Sequence, residues 1–191
     1  MSALAQLHPD EVVETRRDHR VHVLQGQYLV SSDPLVMMTT VLGSCVSACI
    51  RDPRAGVGGM NHFLLPDRQG GDDADALRYG VNAMELLVNA LLRAGARRSS
   101  LEAKLFGGGQ VVGRLSPIGE VNANFAEAYL RREGIACLGG SLGGACARKL
   151  QFWPVSGRVR QLALTHGLED IVARESRAPR LLQQSGAVEL F

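Results

Sequence analysis

The chain has 191 residues, 46% of them hydrophobic, and its 21 basic and 19 acidic side chains leave a formal net charge of +2. This length supports one domain with a substantial core, and the nearly balanced charge gives no reason to expect nucleic acid or a membrane surface as a partner. No stretch approaches the ~18 consecutive apolar residues of a membrane span, and the first residues lack the pattern of a secretory signal, so we expect a cytoplasmic protein that is not membrane-embedded.

The first third of the chain predicts a loose arm followed by strands. Residues 1–20 are polar and charged and are expected to form a flexible N-terminal arm. Alternating apolar and polar residues from Val21 to Val30 predict a first strand, and the apolar run from Leu35 to Leu42 predicts a buried second strand. Residues 45–65 predict a β-hairpin whose loop is Arg51–Gly56, a segment rich in turn-forming residues.

The rest of the chain predicts helices that alternate with strands. Apolar residues at helical spacing predict a helix over 75–94, ended by Gly95, and a second helix over 120–133. Further strands are expected at 101–106, 135–138, 149–153 and 158–164. The order of these elements predicts a single α/β domain with much antiparallel pairing. Its bounds are placed at 21–167, with residues 168–191 as a C-terminal extension.

Cys45 and His62 are candidate partners because they lie on the two strands of the predicted hairpin. If the hairpin is symmetric about its loop, Ile50 faces Val57 and Cys45 lies directly opposite His62. Opposed residues have Cβ atoms ~4.5–5.5 Å apart and share a face of the sheet. That separation would let an imidazole nitrogen reach the thiol, whereas a slip by one residue would send the two side chains to opposite faces.

A thiol beside an imidazole suits a nucleophilic amidase. A free thiol has a pKa of ~8.5, and an adjacent imidazolium lowers that pKa and favours the thiolate. The thiolate attacks a carboxamide carbon, and the imidazolium then protonates the departing ammonia. Gly43 and Ser44 precede Cys45 and would let backbone N–H groups approach the developing oxyanion. A lone cysteine in an apolar strand is more often a core residue, so the pattern by itself leaves a structural role open.

Two other patterns point to no separate function. Residues 107–109 are three glycines after a predicted strand, but they lack the spacing and the Lys-Ser/Thr pair of a phosphate-binding loop. A tight turn or a wall of a substrate groove is the better interpretation. Cys137 and Cys146 have no C-x-x-C partner or clustered histidines, so buried structural thiols are favoured over a metal site. Four cysteines in a chain of this length also fit a reducing compartment better than a disulfide framework.

Three segments of the chain resemble the signature of the CheD family of chemoreceptor glutamine deamidases. They are Thr-Thr-Val-Leu-Gly-Ser-Cys-Val at 39–46, Arg-Asp-Pro at 51–53 and Gly-Met-Asn-His-Phe-Leu-Leu-Pro at 59–66. Later blocks at 101–109, 118–122 and 143–149 are also similar, so the resemblance covers roughly residues 22–164. It implies that Cys45 is the nucleophile and His62 its base. The family's third group is a threonine six positions before the cysteine, which falls on Thr39, with Thr40 adjacent.

The resemblance implies a fold, a reaction and partners. The fold would be a sandwich of mostly antiparallel β-sheet with flanking α-helices, with Gly107 and Gly108 beside the substrate. The reaction would be hydrolysis of glutamine side chains on the cytoplasmic coiled coil of methyl-accepting chemotaxis receptors, through a thioester and with no metal or organic cofactor. The alternative is a non-catalytic adaptor that binds chemoreceptors or a CheC-type phosphatase. A general cysteine peptidase is a third and weaker interpretation, because no specificity pocket is evident.

Overall fold

The computed structural model describes residues 18–66, 73–110 and 117–164. Within these residues the nine strands are β1 (His19–His22), β2 (Tyr28–Ser31), β3 (Val36–Leu42), β4 (Val46–Asp52), β5 (Val57–Asn61), β6 (Glu102–Gly107), β7 (Ala136–Leu142), β8 (Ala147–Trp153) and β9 (Arg158–Leu164). The helices are α1 (Asp73–Arg93) and α2 (Ile118–Arg132), with a short 3-10 helix at Arg98–Ser100. Residues 1–17 of the predicted arm (1–20) and the extension at 168–191 lie outside the described residues, whereas His19 and Arg20, assigned to the arm, belong to β1.

The strands form two sheets. One has the order β1-β3-β8-β9 and the other the order β2-β5-β4-β6-β7. Five of the seven strand pairs in the described residues are antiparallel, and β1–β3 and β6–β7 are parallel. The predicted α/β class with mostly antiparallel sheet and flanking helices is confirmed.

The sheets and helices form three layers with two apolar clusters. Both helices pack on the five-stranded sheet and bury the larger cluster against it, including Met84, Leu87 and Leu91 of α1. A second cluster lies between the two sheets, where Met38 and Leu42 of β3 meet Cys49 of β4. Because strand side chains alternate between faces, the five-stranded sheet contributes to both clusters, and this is why its central strands β4 and β5 are almost entirely buried.

The prediction of one strand from Val21 to Val30 is wrong. The segment is two short strands in different sheets, β1 and β2, joined by a turn that contains Gly26 at φ +81°. A positive φ at Gly26 breaks the extended backbone. The polar stretch Gln25-Gly26-Gln27 is the sign of this break in the sequence, and the prediction of one strand passed over it.

The hairpin of β4 and β5 is confirmed, but its register differs from the predicted one by two residues. Asp52 pairs with Val57 and Ile50 with Gly59, so the loop is four residues long rather than six. Asp52 closes this loop: its backbone oxygen accepts from Gly56 N, and its Oδ1 accepts from the backbone N–H groups of Arg54 and Ala55. An offset of two preserves the face on which each side chain lies, so Cys45 and His62 still share a face although they are not directly opposed.

Candidate active site

Cys45 lies directly before β4, where β3 has ended and the chain has turned back. Its side chain is 1% exposed and belongs to the cluster between the sheets. The backbone around it is fixed, because Cys45 O accepts from Gly108 N at 2.7 Å and Gly43 O accepts from Gly109 N at 2.8 Å. The glycine-rich segment after β6 therefore positions the candidate nucleophile.

His62 follows directly after β5 and is 7% exposed. Phe63, the next residue, forms an isolated antiparallel bridge with Val46, with both N–O distances at 2.9 Å. Cys45 and His62 are thus the residues that precede the two members of this bridge. Both point away from the helices and toward the interface of the sheets, since Val46 and Phe63 belong to the cluster under the helices.

The threonine that contacts His62 is Thr40. Its Oγ1 lies 2.8 Å from His62 Nδ1, in a buried hydrogen bond. Thr39 Oγ1 instead donates to the backbone oxygen of Leu150 at 2.8 Å. The geometry therefore does not support the expectation that Thr39 holds the imidazole. The reason is strand alternation: Met38 and Leu42 of β3 line the cluster that contains Cys45, and Thr40 lies between them on the same face.

Gly43, Ser44, Gly107 and Gly108 were candidates for substrate or oxyanion contacts, and all four lie next to Cys45. Gly107 (φ +110°) packs so tightly on Cys45 O that no Cβ would fit between them. The N–H of Gly108 is donated to Cys45 O, so in this structure it holds the backbone of the candidate nucleophile rather than facing a substrate. Ser44 is 4% exposed, and its backbone oxygen accepts from Asn122 Nδ2 at 3.2 Å.

Asn122 on α2 is a connecting residue whose role the sequence did not reveal. Its side chain is fully buried, donates to Ser44 O and to Ile118 O, and accepts from Leu65 N at 2.8 Å. One amide thus joins the segment before Cys45 to the segment after His62. In the sequence, Asn122 stood out only as the last residue of the similar block at 118–122, and a polar residue on a buried helix face was the available signal.

Tyr79 on α1 is a second residue that the sequence did not single out. Burial raises the pKa of its phenol, and the neighbouring Cys45 raises that pKa further. Its hydroxyl lies 3.8 Å from the position that a Cβ on Gly26 would occupy. The phenol therefore lies close both to the candidate nucleophile and to the turn between β1 and β2.

The other cysteines are in different surroundings. Cys49 is buried, and desolvation raises the pKa of its thiol to about 12 despite opposing contributions from Ser47 and Lys104. Cys137 and Cys146 are exposed, so the prediction that they are buried is wrong. Cys137 lies on β7, an edge strand whose first five residues are all exposed. Among the described residues no three His, Cys, Asp or Glu side chains are grouped as metal ligands would be.

Comparison with protein families gives a match over residues 64–162 to the family described as CheD chemotactic sensory transduction. This segment is more than half of the chain. The chain belongs to the CheD family. The matched CheD segment begins two residues after His62, runs through α1, α2 and β8, and ends within β9.

Curated CheD proteins extend the similarity to the N-terminal part of the chain. A protein of Caulobacter vibrioides named probable chemoreceptor glutamine deamidase CheD is 54% identical over 181 residues, which is 93% of this chain and 96% of that protein. An Agrobacterium fabrum protein of the same name is 56% identical over 159 residues, 83% of this chain and 88% of its own length. Among the described residues, no helix is long and apolar enough to cross a membrane.

Proposed function

We propose that this chain is a chemoreceptor glutamine deamidase that works through a thiol nucleophile. Its curated relatives carry that activity in their names and share more than half of its residues over nearly their full length. The observation that carries the proposal is the hydrogen bond between Thr40 and His62. It supplies an oriented imidazole on the same face of the hairpin as Cys45, which a purely structural cysteine does not need.

The roles of Cys45 and His62 follow from their chemistry. The Cys45 sulfur attacks the side-chain carbonyl carbon of a glutamine, and its proton passes to His62. The C–N bond of the tetrahedral adduct then breaks, and the imidazolium gives its proton to the leaving nitrogen, so that ammonia and a thioester are formed. Water, deprotonated by the same imidazole, cleaves the thioester to glutamate and restores the thiol.

Thr40 is assigned the task of holding the imidazole in one orientation and tautomer. Its hydroxyl engages Nδ1, which makes Nε2 the nitrogen that exchanges the proton with the thiol. A neutral hydroxyl orients the ring but stabilises imidazolium less than a carboxylate would. We therefore assign Thr40, rather than Thr39, as the third member of the group.

The oxyanion is assigned to the backbone at the start of β4. The segment from Gly43 to Cys45 is fixed from outside by Gly109 and Asn122, both of which bond to its carbonyl oxygens. In a trans peptide the N–H points opposite to the C=O. With Gly43 O and Ser44 O held by these bonds, the N–H groups of Ser44 and Cys45 point to the other side of the chain, where the oxyanion of a tetrahedral intermediate would form. The thiol supplies the covalent step, so the reaction requires no metal or organic cofactor.

The substrate is proposed to be the helical coiled coil of a methyl-accepting chemoreceptor, reached from the cytoplasm. A CheC-type phosphatase is proposed as a second protein partner on the strength of the family resemblance alone, and a pull-down with both purified proteins tests that binding.

Incubation with a purified receptor cytoplasmic fragment tests the function. Each converted glutamine raises the mass of a tryptic peptide by about 1 Da, and ammonia is released in equal amount. The control is a fragment whose target glutamines are already glutamate, in which no further mass change is expected. A receptor fragment that keeps its mass after prolonged incubation with folded enzyme would contradict the proposed function.

A further inference from the structure

A glutamine side chain of the protein itself lies at the candidate nucleophile. Cys45 Sγ donates a hydrogen bond to Oε1 of Gln25 at 3.7 Å. Gln25 is half-buried, whereas Cys45 is only 1% exposed. The group that rests against the thiol is thus a primary carboxamide on a two-carbon stem, which is the same group that a glutamine deamidase must bind.

Gln25 lies in the turn between β1 and β2, and this turn is attached to the backbone of His62. Gly26 N donates to His62 O at 2.7 Å, and His62 N donates to Gln27 O at 3.0 Å. Within the turn, Gln27 N donates to Leu24 O, and Gln27 Oε1 accepts from Leu24 N. Four hydrogen bonds therefore fix the turn, and two of them end on the residue assigned as the base.

The turn also separates the site from solvent. Leu24 is 61% exposed, and Gly26 and Gln27 are exposed as well. On the inner side, the Tyr79 hydroxyl approaches Gly26 and is close enough to Cys45 for the two groups to interact electrostatically. A substrate glutamine that approaches Cys45 from this side meets Gln25 first.

We propose that Gln25 occupies the carboxamide subsite and that the turn at 24–27 is an internal pseudosubstrate, which a receptor glutamine must displace. The proposal rests on the deamidase function proposed above. In the closed state the thiol donates to the carboxamide oxygen, so the sulfur keeps its proton and does not attack. Opening of the turn removes Gln25, exposes Cys45 and leaves space for a side chain of the same size and polarity.

Alkylation of Cys45 by iodoacetamide tests the proposal without any receptor. The rate is followed by peptide mass spectrometry in the wild type, in Gln25→Ala and in the control Leu24→Ala, which changes an exposed side chain of the same turn. We expect Gln25→Ala to raise the Cys45 rate on the order of 3–10-fold, as for a local opening that has become easier, with no change in Leu24→Ala. Cys137 and Cys146 provide internal reference rates, because both are exposed in the wild type.

Kinetics on the receptor fragment provide the second measurement. If Gln25 competes with substrate, Gln25→Ala lowers KM and leaves kcat unchanged, because a larger fraction of enzyme is competent to bind. An unchanged alkylation rate in Gln25→Ala would overturn the proposal. A fall in kcat would also overturn it, because Gln25 would then assist the reaction instead of blocking the substrate. A rise in alkylation without any deamidation by the wild type would support the pseudosubstrate contact and contradict only the proposed function.

Discussion

At the scale of single residues, two adjacent threonines have different partners. Thr39 and Thr40 are 1% and 5% exposed, so burial does not distinguish them. Both faces of β3 are also apolar, since Met37 and Met38 are each almost fully buried. The sequence therefore contains no alternation that shows which threonine faces His62, and the resemblance selected Thr39. The choice becomes visible only when β3 is placed over the hairpin.

Substitution of the two threonines tests this assignment. We expect Thr40→Ala to lower kcat by about 10–100-fold, because His62 loses the group that orients it. Thr40→Ser keeps a hydroxyl and should retain most of the activity. Thr39→Ala should cost about 1 kcal/mol of unfolding free energy through its lost bond to Leu150, with kcat nearly unchanged. Greater loss of kcat in Thr39→Ala at equal folded fraction would return the role to Thr39.

The Cys49 thiol predicts a dependence of stability on alkaline pH. Its pKa is raised from 9.0 to about 12 in the folded protein by burial. The unfolded thiol therefore releases its proton first as the pH rises, and the stabilisation present below pH 9 is lost progressively between about pH 9 and 12.

Urea unfolding of the wild type and Cys49→Ala at about pH 8 and about pH 10.5 measures this contribution. The variant removes the Cys49 contribution, so its free energy of unfolding should fall less between the two pH values. Tyr129, whose pKa is also raised to about 12 mainly by burial, contributes equally to both proteins. Parallel declines in the two proteins would show that Cys49 does not titrate as its burial requires.

At the scale of elements, α2 holds the two halves of the site together through Asn122. Its amide bridges the backbone before Cys45 and the backbone after His62. Gly119, on the same helix, lies so close to the backbone of Gly108 and Gly109 that a Cβ would collide with it. The position of Cys45, the proposed nucleophile, is therefore set by packing between α2, the glycine segment and the residues before β4.

Asn122→Ala should impair both stability and catalysis. The substitution leaves Leu65 N and Ser44 O buried without this partner, which costs about 1–3 kcal/mol for each group. Because the two groups flank His62 and Cys45, kcat should also fall in the fraction that remains folded. Asn124→Ala is the matched control, since Asn124 is exposed on the same helix. Equal effects of the two variants would remove the bridging role of Asn122.

The elements themselves were largely predictable from sequence, because apolar periodicity and glycine stops define them locally. Gly95, for example, ends α1 as expected, with φ +98°. The hairpin register was not predictable by symmetry, because Asp52 binds two backbone N–H groups in the loop, and the loop is thereby shortened to four residues with a register shift of two. The division of 21–30 into two strands of different sheets also depends on tertiary pairing, and it places Gln25 at Cys45.

At the scale of the whole molecule, the site lies where the two sheets meet. The five-stranded sheet supplies Cys45 and His62, and the four-stranded sheet supplies Thr40. Neither sheet alone therefore contains all three residues, and the interface between the sheets must form before the imidazole is oriented. The apolar residues that surround Cys45 in the cluster between the sheets also limit the access of water to its thiol.

The central claim is that Cys45 is the nucleophile, and the most direct test compares Cys45→Ala with Cys49→Ala on one receptor fragment. Each variant removes one buried thiol, Cys49 within β4 or Cys45 directly before it. Each variant therefore controls for the packing loss of the other. The measurement is the increase of about 1 Da at each receptor glutamine, with circular dichroism to confirm folding. We predict that Cys45→Ala produces no conversion and that Cys49→Ala converts at close to the wild-type rate. Conversion at the wild-type rate by folded Cys45→Ala would contradict the account.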